Sequence, residues 1–96
     1  MFDAIKEFFL KFKKHPHNRC SFAVTTGAFL GEILIFIKQT NDNYHFLSVP
    51  NNINRIIPKE KVDFGLKNNI LQLVERLPKD VHAITVKQYE KNESSH

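Results

Sequence analysis

Apolar residues recur at helical spacing at the start of the chain and at strand spacing through its middle. Phe2, Ile5, Phe9 and Phe12 lie three or four positions apart, and Phe8 widens their stripe. That period predicts an amphipathic helix over 2–14. Lys6, Glu7, Lys11, Lys13 and Lys14 fall on its other side. Lys13 and Lys14 occupy the last turn, where cations offset the negative end of the helix dipole. Pro16 disfavours helical geometry at His15 and marks the stop.

From residue 21 the period shortens. "SFAVTT" puts Phe22 and Val24 on one face, and "GEILIFIKQ" puts Ile33, Ile35 and Ile37 on one face with Leu34 and Phe36 on the other. A strand apolar on both faces is buried on both. "TNDN" is a turn cluster, and "YHFLSV" returns as the next strand. An antiparallel meander follows, with its central strand at 32–39. The phenylalanine-rich N-terminal helix is the expected cover for that strand's second face.

"PNNIN" at 50–54 reads as a loop. Beyond Pro58, Val62, Leu66, Ile70, Leu73 and Leu77 form one stripe with Val74 beside it, which predicts a helical segment over about 59–77, broken in two if Gly65 or Asn68-Asn69 interrupts it. Pro78 ends it. "VHAITV" is rich in β-branched residues and reads as a final strand. The competing arrangement pairs "ILQLVERL" with "VHAITVKQ" as a hairpin around Pro78-Lys79-Asp80; the helical period fits better. The expected fold is therefore α+β, one domain over 1–96, with an N-terminal helix packed on a small antiparallel sheet. Residues 92–96 read as a disordered tail.

Charge changes this picture only locally. The net charge is +4, and residues 1–20 hold Lys6, Lys11, Lys13, Lys14 and Arg19 against Asp3 and Glu7, a local +3. Those five basic residues are the candidate polyanion-binding patch. The bland counterpart is a lysine-rich solvated face. Eleven of the fourteen basic residues are Lys, whereas Arg is favoured for bidentate recognition of phosphates and bases. Phe2, Phe9 and Phe12 are the candidate interface residues if the helix meets a partner. A membrane is the less favoured partner, because a helix is needed to cover the sheet. The run "AFLGEILIFI" contains Glu32 and falls short of the roughly 20 residues that span a bilayer.

Catalytic and metal patterns are weak. His15, His17 and Cys20 carry ligand side chains, but H-x-H-x-x-C matches none of the usual paired-ligand spacings. Cys20 precedes a core strand and reads as a small buried residue. Gly27 and Gly31 lack the lysine and hydroxyl residue of a phosphate loop and read as turn glycines. With no paired acids and no nucleophile–histidine–acid spacing, an enzyme is disfavoured, and neither cofactor nor small-molecule substrate is indicated. A single cysteine excludes an internal disulfide and favours a cytoplasmic setting. The function read from the sequence is a small interaction module that binds protein, itself included. The alternative is a basic nucleic-acid-binding protein using the N-terminal lysines.

Overall fold

The computed structural model of the protein describes residues 15–94. Its centre is a five-stranded antiparallel sheet in the order β4-β3-β2-β1-β5. The strands are β1 (Cys20–Val24), β2 (Ile33–Thr40), β3 (Asn43–Val49), β4 (Ile53–Pro58) and β5 (Leu71–Arg76); helix α1 (Lys59–Lys67) joins β4 to β5, and helix α2 (Lys79–Ser94) follows β5. The predicted meander is present and β2 is its central strand. Turn residues act as their chemistry suggests: Gly27, Gly31 and Asn41 take positive φ between strands, as residues with little or no side-chain penalty in that region do.

Alternation along the strands produces two different faces. Phe22, Leu34, Phe36, Tyr44 and Phe46 share one face and form the core with Val62 of α1. Phe36 pairs with Phe46 across β2 and β3, and Phe22 pairs with Leu34 across β1 and β2, so aromatic and aliphatic side chains stack in register. On the opposite face Ile35, His45 and Leu47 are buried, where α2 packs across β2, β3 and β4. A bulge between Phe36 and Lys38 resets the pairing, so that Lys38 stands opposite His45.

Three expectations need correction. The helix expected over 59–77 ends at Lys67, and 71–76 is a strand. The cause is local and strong. Asn69 adopts φ 60, its amide bonds Leu66 O at 3.4 Å, and Ile70 N bonds Gly65 O at 2.8 Å, which is the Schellman arrangement that terminates helices. The competing hairpin had 71–76 extended, but that strand pairs with β1, not with 81–88. The final strand over "VHAITV" is instead the first half of α2. Lastly, "INRIIP", read partly as loop, forms the edge strand β4.

The second face of β2 is thus covered by α2. The helix expected over 2–14 lies outside the described residues; among these, the first helix follows four strands. The segment 92–94, read as tail, forms the last residues of α2, where Asn92 Nδ2 donates to Asn52 O at 2.7 Å and to Asn54 Oδ1 at 2.9 Å. No described helix is long and apolar enough to cross a membrane.

Candidate functional site

Of the residues singled out by sequence, Phe2, Lys6, Phe9, Lys11, Phe12, Lys13 and Lys14 lie outside the described residues. Arg19 lies within them. It takes φ 65 just before β1, and its Nη1 donates to Leu77 O at 3.2 Å, while Leu77 N donates back to Arg19 O at 2.7 Å. These bonds clamp the start of β1 to the end of β5. Cys20 is buried at the head of β1.

His15 and His17 are packing residues. His15 stacks on Phe36 with ring centroids 4.6 Å apart, and its Nε2–H donates to Gln39 Oε1 at 2.9 Å while its Nδ1 accepts from His17 N at 3.0 Å. His17 meets Phe22 and Tyr44 edge-on at 5.4 and 5.6 Å. Burial lowers the His17 pKa, and His15 and Arg76 lower it further against the opposing pull of Asp63. Among the described residues no group of three or more His, Cys, Asp or Glu converges as a metal site would require.

A polar chain runs under α2. His45 Nδ1 lies 2.6 Å from the Tyr89 hydroxyl, and its Nε2 contacts Thr40 Oγ1. A neutral imidazole serves both contacts, accepting at one nitrogen and donating from the other. Burial holds the His45 pKa below the usual histidine value, with Lys38 adding to the effect and Glu93 opposing it. On the other face Arg55 Nη2 donates to Glu32 Oε2 at 2.9 Å and Nε to Oε1 at 3.1 Å, with Ser48 Oγ also donating to that carboxylate. The Arg55 hydrogen bond, ahead of the burial that opposes it, holds the Glu32 pKa below the ordinary carboxylate value.

These shifts share one sign in stability. The unfolded chain binds protons more readily than the folded chain at His17, His45 and Glu32, so stability rises with pH wherever that difference exists. Stability is expected to be full above about pH 6.5, the unfolded histidine value, to fall as both histidines are forced to protonate, and to fall again below about pH 4.5 as Glu32 does. Urea midpoints between pH 7.5 and 4 check this. A midpoint that stays constant from pH 7.5 to 5 contradicts the buried neutral histidines.

Two further surfaces lie away from the residues that the sequence singled out. The first is β5. It is an edge strand, and only Leu71 of its six residues is buried. Leu73 and Val74 are 61% and 54% exposed. The second is an apolar pocket of about 250 Å³ beside α1, walled by Val24, Phe29, Leu34, Phe64 and Leu71. The Arg55 guanidinium lies 4.1 Å from the centre of the Phe29 ring, and its pairing with Glu32 holds that wall in place. Gly65 lines the pocket where α1 meets β5: a Cβ there would come 3.2 Å from Leu71 Cγ, so an added methyl would press on the Leu71 side chain. Alternation in "LQLVER" is the trace that could have revealed β5, but the pocket has no sequence trace because its walls come from four separate segments. No family model, curated protein or solved structure matches this chain.

Proposed function

We propose that this domain is a protein-interaction module and that its partner at β5 is a second copy of the chain. The observation that carries the reading is the edge strand Leu71–Arg76, which presents Leu73 and Val74 to solvent beside a sheet edge that no described strand pairs. An unpaired edge offers a row of backbone donors and acceptors to another strand, and exposed apolar residues on that edge favour the pairing. The opposite edge strand, β4, also exposes Ile53 and Ile56, but its side chains are tied on both faces of the sheet, Arg55 to Glu32 and Asn54 Nδ2 to Tyr89 O at 3.0 Å. A second copy suits β5 because antiparallel pairing of a strand with itself closes under twofold symmetry. Its neighbouring Glu75 and Arg76 give the strand balanced charge, so two copies meet without net repulsion.

Sedimentation across a concentration series tests the proposal. Wild type is expected to dimerise with little dependence on salt, and L73E/V74E to remain monomeric. Because both side chains are exposed, the double variant should melt within about 0.5 kcal/mol of wild type. A wild type that stays monomeric throughout, or a dimer that survives the double substitution, sinks the reading. Association that appears only with an oligonucleotide and weakens steeply with salt favours the nucleic-acid alternative.

A further inference from the structure

We infer that the pocket beside α1 binds a small monocarboxylate with an apolar body. Among the described residues its lining is apolar apart from Lys61, Thr26 and the backbone, and Lys61 is the only ionisable one of them. Among the described residues Lys61 has no ion-pair partner, since the ion pairs found there are Lys38–Glu93 and Arg55–Glu32. An apolar recess with a lysine at its rim selects a ligand that is apolar along its body and anionic at one end.

The volume sets the length. A cavity of roughly 150 Å³ lined by apolar side chains holds the six carbons of benzene. By the same scale this pocket of about 250 Å³ accommodates a body of roughly eight to ten carbons. It lies just below the range of pockets that enclose drug-sized ligands, which favours a small amphiphile. The walls are built to hold a shape. Phe29 is fixed by Arg55, Gly65 brings α1 close to Leu71, and Leu34 is a fully buried core residue. Phe64, 61% exposed on α1, supplies the outer wall that a ligand would cover.

The test is an NMR titration of the full chain with octanoate and, separately, with 1-octanol. Octanoate is expected to give saturable shifts at Val24, Phe29, Phe64 and Leu71. Lys61→Met keeps the apolar stem and removes the charge. It should weaken octanoate binding about three- to fivefold, as expected for one partly exposed ion pair, and leave octanol binding unchanged. Ala28→Trp, at an exposed position in the lining, should block both probes while the thermal melt is preserved. Absence of saturable octanoate binding to wild type overturns the proposal, as do shifts centred on α2 or binding that persists in Ala28→Trp. Octanoate affinity that is unchanged in Lys61→Met overturns the carboxylate assignment.

Discussion

Replacing Phe46 with alanine is expected to destabilise the fold by about 3–5 kcal/mol, the usual loss for a core phenylalanine. The ring has no exposed surface, and it sits within 6.3 Å of the Phe22 ring, 5.9 Å of Phe36 and 6.4 Å of Tyr44 between centroids. Those three rings come from three strands, so a cavity at Phe46 loosens β1, β2 and β3 together. At roughly 0.05–0.15 kcal/mol per residue, a chain of 96 residues has about 5–14 kcal/mol in all. The substitution therefore removes a large share of the total. Urea melts of F46A and F46L measure it. Leucine refills most of the volume and should cost less than half as much as alanine. A loss under about 1 kcal/mol for F46A would mean that these rings are not close-packed.

The second large effect is expected at Tyr89, which is 1% exposed and anchors α2 to the sheet. Tyr89→Ala should cost about 3–5 kcal/mol by removing a buried ring. Tyr89→Phe isolates the hydroxyl: it leaves His45 Nδ1 without its partner and should cost about 1–3 kcal/mol. The ring also receives Lys38, whose Nζ lies 5.6 Å from its centroid, so the alanine variant removes contacts to both β2 and β3 while the backbone bond from Asn54 to Tyr89 O is kept. Hydrogen exchange in α2 reports this separately from global melting, and α2 amides should lose protection before those of β2 and β3. Unchanged exchange and a loss under about 0.5 kcal/mol in Tyr89→Ala would show that α2 does not depend on this face.

Both predictions concern elements whose legibility in the sequence differed sharply. The aromatic face of β1–β3 was readable in part, because period-two alternation puts Phe22 with Val24 on one face of a strand and Leu34 with Phe36 on one face of the next, and the Phe22–Leu34 pairing then joined them. Helix α2 was not. Its inward stripe is His82, Thr85, Tyr89 and Asn92, which is mostly polar; Thr85 bonds Val81 O in its own helix and the others bond the sheet: His82 Nε2 lies 2.9 Å from Phe36 O, Tyr89 meets His45, and Asn92 bonds the β3–β4 turn and Asn54. A helix that docks through hydrogen bonds leaves no apolar period, so its β-branched residues misled the reading toward a strand.

By itself, the sequence determined a single α+β chain with an antiparallel meander, the turn at Asn41-Asp42, the buried state of Cys20 and the start of α1 after Pro58. These follow from short-range periodicity and from residues with restricted backbone preferences, which act within a few positions. Tertiary structure decided the rest. Residues 71–76 continue the helical stripe better than they read as a strand over so short a run, and the free edge of β1 reversed that choice by pairing with them. The same crossover from β4 through α1 to β5 placed Phe29, Phe64 and Leu71 around one pocket and left Leu73 and Val74 on an open edge. Contacts between residues this far apart in the chain depend on how whole elements pack, and no local pattern encodes them.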